Sequence, residues 1–274
     1  MGGNGAAPPV KLVVEHATKH YQTRTGTVHA LEDYSMAVRA GELVCVLGPS
    51  GCGKSTLLWA MAGLHELTRG HVLLDGTPVT RPHPQIGMVF QDANLLPWRN
   101  LIRNIHLPFE IKRLNPAQAQ HKDRIDRLLA RVGLLGFETK YPRELSGGMQ
   151  QRASIVRSLS FDPSLLLMDE PFGALDAFTR DETNLLLQEI WLETRKTIVF
   201  ITHNIAEAVF LADRIMVMTP RPGRLQRIFE IDLPRPRPLE VTTQAHFIEL
   251  VGHIKGSIDH GAGAAAGSIV QMEG

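Results

Sequence analysis

Cysteine is almost missing from this chain: Cys45 and Cys52 are the two in 274 residues. With no further metal-ligating residue near them, they make neither a disulfide framework nor a thiolate metal site, and they read as free thiols of a reducing compartment. Cys45 stands in an apolar run and is expected to be a buried strand residue. Long apolar stretches are missing too. Crossing a bilayer takes roughly 20 such residues, whereas the longest candidates, 165–168 and 198–201, are strand-sized. Neither sign of charge dominates, with 29 basic against 28 acidic residues, so there is no broad basic surface of the kind that binds nucleic acid. The start, Met1-Gly2-Gly3-Asn4-Gly5-Ala6, has no secretion-signal pattern, and Ala6 stands where N-myristoylation needs Ser or Thr. These absences lead us to expect a soluble, cytoplasmic chain that meets a membrane only through a partner.

What is present begins after a Gly-, Ala- and Pro-rich stretch over residues 1–9, expected to be disordered. Short β-branched and apolar runs then recur at 12–14, 43–47, 71–74, 87–90, 165–168, 198–201 and 215–218. Several are followed by helical patterns, which indicates an α/β core with a largely parallel sheet. Helices are expected over 54–64 and over 118–132, where Ile125, Leu128, Leu129 and Val132 share one face. Pro97, Pro108, Pro116 and Pro142 are expected to break the region from about 92 to 158 into short helices. Leu233-Pro234-Arg235-Pro236-Arg237-Pro238 cannot be a central strand, because every second residue lacks an N–H, and is read as an extended tether. One helix over 248–254 and a low-complexity stretch over 261–267 follow it, so that 233–274 is read as tether and tail. No internal repeat is visible.

The first chemical motif is Gly48-Pro49-Ser50-Gly51-Cys52-Gly53-Lys54-Ser55-Thr56, a P-loop between a strand and a helix. Its glycines free the backbone to wrap a phosphate, and the following helix turns its positive end toward the same point. Lys54 is placed to reach the β and γ oxygens of a nucleotide and the Ser55 hydroxyl to ligand Mg²⁺. Asp169 and Glu170 end an apolar strand, where an acid needs a cation or donors to compensate its burial. Gln91 and His203 each follow a strand, and Tyr21 lies upstream of the P-loop. Ser146, Gly147 and Gly148 precede a helical pattern and make a second anion site of N–H groups.

Taken together, the P-loop, Gln91, Leu145-Ser146-Gly147-Gly148-Met149-Gln150-Gln151-Arg152, Leu165-Leu166-Leu167-Met168-Asp169-Glu170 and His203 resemble the ATP-binding cassette (ABC) family over residues 10–238. The resemblance implies an α/β P-loop NTPase core with a mainly parallel sheet, an N-terminal antiparallel β part and an inserted helical subdomain at about 92–158, the ATPase domain spanning 10–232. It implies ATP and Mg²⁺ as cofactors, with Ser55, Gln91 and Asp169 on the metal. Glu170 would be the general base, His203 would hold the γ-phosphate and Glu170, and Tyr21 would stack on adenine. Ser146, Gly147 and Gly148 would close on the ATP of a second subunit, with Asp176 in the loop crossing that interface. Leu95-Leu96-Pro97-Trp98, Pro171-Phe172-Gly173-Ala174-Leu175-Asp176-Ala177, Arg221-Pro222-Gly223-Arg224 and the Pro-Arg tail look like the ATPase subunits of nitrate, sulfonate and taurine importers. The partners implied are a second ATPase subunit, permease subunits and, through the permease, a solute-binding protein, with no nucleic acid. An exporter or lipid-trafficking ATPase is the alternative. Asn204 after the histidine and Val156-Arg157-Ser158 in the helix after the signature depart from the family pattern. Cys52, at the positive end of a helix, is expected to favour its thiolate, and Trp98 is expected at a partner surface.

Overall fold

The computed structural model describes residues 8–24 and 26–266; the stretch read as disordered lies outside them except for Pro8 and Pro9, and the Pro9 carbonyl accepts from the Ala40 amide at 2.8 Å. The chain opens with a hairpin, β1 (Val10–Thr23) and β2 (Gly26–Arg39). Only its first few residues were legible as a strand. The remainder carries His, Lys, Thr and Glu, because alternate positions face water. β3 (Leu43–Leu47) and α1 (Lys54–Met61) follow. Then β4 (Arg69–Leu74) and β5 (Thr77–Pro78) complete an antiparallel sheet in the order β2-β1-β4-β5.

The rest of the chain runs β6 (Ile86–Val89), α2 (Leu101–Lys112), α3 (Ala119–Arg131), α4 (Gly147–Leu159), β7 (Leu165–Asp169), α5 (Ala177–Thr194), β8 (Thr197–Ile201), α6 (Ile205–Leu211), β9 (Arg214–Met218), β10 (Leu225–Glu230) and α7 (Ala245–Ala266). A second sheet has the order β10-β9-β3-β8-β7-β6, parallel throughout except for the edge strand β10. Every residue of β3, β7 and β8 is buried, which is why they read as continuous apolar runs rather than as alternating ones. The sheet divides two cores. Leu43, Cys45 and Leu47 pack on the side of the helices α2 to α7, while Val44 and Val46 pack against α1 and the hairpin sheet. Each such buried aliphatic side chain contributes roughly 1.5–3 kcal/mol.

Four strands of this sheet release their chains at the same edge: β3 into the P-loop, β6 toward Gln91, β7 into Asp169 and β8 toward His203. The carboxyl ends of parallel strands are where such folds bind ligands. Parallel pairing of Asp169 with Ile201 brings the last two of these ends side by side.

Two expectations fail. Pro108 does not break a helix but lies inside α2. The buried Leu101, Ile105 and Phe109 hold that helix through the missing backbone bond. Its N-cap, Asn100, accepts from the Arg103 amide at 3.1 Å, and the buried Asn104 ties the preceding loop by donating to the carbonyls of Leu96, Arg99 and Asn100 while accepting from the Leu96 amide. The segment 233–238 is not a tether either. Leu233 is buried, and Arg237 is 1% exposed, its guanidinium donating to the carbonyls of Leu233, Val209, Phe210 and Ala212 at 2.9–3.2 Å. Prolines remove N–H groups but leave a side chain free to bind, and Arg237 caps the carbonyl end of α6. The helix expected over 248–254 is the middle of α7, which continues through the described part of the glycine-rich stretch.

Candidate functional site: a nucleotide cavity at the sheet edge

The P-loop owes its path to two glycines. Gly53 has φ 108°, and a Cβ there would stand 2.6 Å from the Ala30 carbonyl oxygen. A Cβ on Gly48 would stand 2.8 Å from Cys52 Sγ. Within the loop, Lys54 is 5% exposed. Its ammonium donates to the carbonyls of Gly48 at 2.9 Å and Pro49 at 3.1 Å and lies 3.9 Å from Glu170 Oε1. A buried cation is thus held among oxygens that an incoming phosphate can replace.

Ser55 Oγ donates to Asp169 Oδ1 at 3.1 Å. Burial pushes the Asp169 carboxyl above its ordinary range, the hydrogen bond from Ser55 pulls it back, the Glu170 charge raises it and Lys54 lowers it. Next to it Glu170 has φ 43°, a strained conformation outside glycine, with its amide donating to the Ile201 carbonyl at 2.9 Å. Glu170 Oε2 is 2.8 Å from His203 Nδ1. Lys54, Glu170 and His203 therefore form one line across the carboxyl ends of β3, β7 and β8.

A cavity of about 480 Å³ opens over Lys54 and Glu170, with His203 outside its lining, and its walls include Ser50, Gly51, Gly53, Lys54, Ser55, Thr56, Gln91, Asp169 and Glu170. Tyr21 forms part of the wall, as read from the sequence, with its hydroxyl 3.0 Å from His65 Nδ1 and 3.5 Å from Thr56 Oγ1. Four lining residues were missed, Val28, Ala30, Trp59 and Arg221. Arg221 donates through Nε and Nη2 to the Gly51 carbonyl at 3.0 and 2.8 Å; no spacing signal could reveal a contact across 170 positions. Trp59 lies on α1 near the P-loop lysine, edge-on to His65, and is the kind of apolar wall a base needs.

In the departing stretch Val156-Arg157-Ser158, Arg157 and Ser158 act on the segment that carries Gln91. Arg157 donates to the carbonyls of Ala93 and Asn94 at 2.7 and 2.8 Å, and Ser158 donates to the Met88 carbonyl at 2.6 Å. Asn204 caps α6 by accepting from the Glu207 amide at 3.1 Å. Cys52 contradicts expectation. It is 1% exposed, and burial, outweighing Lys54 and the backbone donors, pushes its thiol up. The helix end favours a thiolate only where water or a counter-ion also reaches it.

Ser146, Gly147, Gly148 and Asp176 do not line the cavity. Ser146 and Gly147 are exposed; Ser146 caps α4 by accepting from the Met149 amide at 3.2 Å. Asp176 caps α5 through the amide and hydroxyl of Thr179, which hold its carboxyl below the usual range.

A family profile described as ABC transporter matches residues 31–173, just over half the chain. This chain belongs to the ABC transporter family. It is an ABC-type ATPase, and curated relatives include members of the group that the sequence pointed to. A taurine import ATP-binding protein of Rhizobium johnstonii is 46% identical over 82% of this ABC chain and 85% of the relative. A nitrate import ATP-binding protein of Synechococcus elongatus is 44% identical over 82% and 83%, and an aliphatic sulfonates import ATP-binding protein of Bacillus cereus is 42% identical over 82% and 87%. Among solved structures, a dimeric ATP-binding cassette in a post-hydrolysis state with ADP and Pi superposes with a TM-score of 0.71 at 30% identity, covering 81% of this chain and 100% of that one.

Proposed function

We propose that this ABC ATPase drives an importer of a small solute of the nitrate, sulfonate or taurine kind. It works as a dimer on the cytoplasmic face of a membrane, bound to permease subunits that a solute-binding protein supplies. The carrying observation is the line Lys54–Glu170–His203 at the mouth of a glycine-walled cavity. Support for import comes from the relatives, all three of which are named import ATP-binding proteins.

The chain's own residues divide the work. Backbone amides of the P-loop and the end of α1 receive the β-phosphate, and Lys54 exchanges its carbonyl partners for phosphate oxygens. Glu170 orients the attacking water and accepts its proton as the bond from the γ-phosphorus to the bridging oxygen breaks. His203 holds Glu170 through Oε2, while Glu170 Oε1 stays 3.9 Å from Lys54. Ser55 and Asp169, already oxygen to oxygen at 3.1 Å, with Gln91 beside them in the cavity wall, are hard oxygen donors suited to Mg²⁺, which takes few protein ligands beside phosphates. That ion would neutralise charge developing on the phosphates. Tyr21 and Trp59 are assigned to the base.

Glu170→Gln should lower turnover by on the order of 10² or more while ATP binding persists, read by phosphate release and by a filter-binding assay. Normal hydrolysis by this variant would remove Glu170 from its role. The solute class is read separately, by reconstituting the subunit with its co-purifying permease and following taurine, an alkanesulfonate and nitrate. Transport of none of these would overturn the importer assignment and leave the ATPase standing.

A further inference from the structure

On the side of the hairpin away from the nucleotide cavity, two imidazoles and a carboxylate converge. His20 and His29 are cross-strand partners in β1 and β2, with ring centroids 4.0 Å apart. His20 Nε2 lies 3.3 Å and His29 Nδ1 3.6 Å from one and the same atom, Glu32 Oε2. A ligand atom from each of the three residues lies within 4.8 Å of the other two. In a regular strand, residues 29 and 32 would point to opposite faces. The register of β2 against β1 shifts on either side of Lys19, and such a bulge re-aims a side chain. The Glu32 amide is anchored at this point by the Gly223 carbonyl at 3.1 Å.

None of the three belongs to the nucleotide site. Tyr21 and Val28, their immediate neighbours in sequence, line the cavity, so strand alternation turns His20 and His29 the other way. The separations carry the chemistry. Donor atoms on a tetrahedral zinc ion with bonds of about 2.0–2.1 Å stand about 3.3–3.4 Å apart. The distances of 3.3 and 3.6 Å bracket that edge, while the longer one exceeds a hydrogen bond. Two imidazoles with one carboxylate suit a borderline divalent ion and not Mg²⁺, which prefers oxygen throughout. Arg224 acts on the Glu32 carboxylate and opposes a cation there. The side chains of His20, His29 and Glu32 are 27%, 51% and 30% exposed, so an ion has a path in.

We propose that His20, His29 and Glu32 form a binding site for a zinc-class divalent ion, with a fourth position left to water. The site braces the two strands of the hairpin from behind the wall that carries Tyr21. The test is calorimetric titration of the tag-free, chelator-treated full chain with zinc chloride in the absence of nucleotide. One ion per chain should bind, unaffected by millimolar Mg²⁺, and His20→Gln, His29→Gln and Glu32→Gln should each weaken it by more than about tenfold. Cobalt chloride should give the strong visible absorption of a four-coordinate ion, lost in the same variants. ATP binding by the variants should match the parent and serves as the check on folding. Zinc binding of parent affinity in all three variants, or a weak six-coordinate cobalt spectrum, overturns the proposal. If Glu32→Gln fails to fold, His29→Gln, changed at the most exposed of the three positions, decides by itself.

Discussion

Beneath the loop that carries His203 sits a buried carboxyl. Glu207 is 6% exposed and accepts from the Thr202 hydroxyl, which in turn accepts from the Asn204 amide at 3.0 Å. Burial pushes the Glu207 carboxyl above its ordinary value of 4.5, with Thr202 and the charges of Arg180 and His203 pulling the other way. A carboxyl whose folded pKa is raised contributes its full stability below the unfolded pKa and loses it as pH rises through the folded value. Glu207→Gln keeps an acceptor for Thr202 and removes that titration. Its melting temperature should therefore exceed the parent's at about pH 8, and the gap should close as pH falls toward about 5. A gap that does not change with pH would refute the argument. At this scale the sequence singled out Lys54, which opens α1, and Asp169, Glu170 and His203, which stand at or just beyond strand ends, because each falls within a recognisable string. It did not reveal Arg157, Arg221 or Glu207, whose partners are chosen by the fold. For Cys52 the dipole was weighed without burial, and burial wins.

Among the elements, the strap over 233–238 contradicts its own composition. A proline-arginine alternation reads as solvated and extended, yet Arg237 is drawn in by carbonyls at the end of α6, which that short helix leaves unpaired. Burial and the neighbouring Arg235 pull the Arg237 pKa down to about 10, still far enough above neutrality for it to stay charged. Gln188 completes the clasp, accepting from the Arg237 amide at 2.7 Å and donating to its carbonyl at 2.8 Å. Arg237→Met should cost about 3 kcal/mol, since it strands several buried carbonyls. The check is the urea midpoint, together with faster amide exchange at the end of α6; an unchanged midpoint would leave the strap ornamental. The parallel strands were legible as uninterrupted apolar runs because both of their faces are covered. The hairpin was not, since its polar face and its bulges hide the alternation that a strand search relies on.

At the scale of the whole molecule, the chain carries two glycine-bearing loops that open helices, and brings only the P-loop to the cavity. The caps at Ser146 and Asp176 face solvent, and Phe178, just after Asp176, is 85% exposed. A second copy is the economical partner for surfaces that a single chain leaves bare, and it would return the signature of one subunit to the ATP of the other. Ser146→Arg and Lys54→Ala should each abolish hydrolysis alone. Mixed, they should recover it, because one interface then pairs an intact P-loop with an intact signature. A failure to recover in mixtures shown by crosslinking to contain heterodimers would place both halves of each site in a single chain. The presence of both motifs was legible in sequence, whereas their separation in the folded chain was not.

The loop from Gln91 to Asn100 has the build of a crank. One end is clamped by Arg157, the other by Asn104, and between them Trp98 projects with 70% of its surface bare. A stiff arm has no soft joint in which to lose a displacement. A push on the indole is then expected to turn up at the glutamine, and a pull at the glutamine to lift the indole, so that this stretch would transmit position rather than store it.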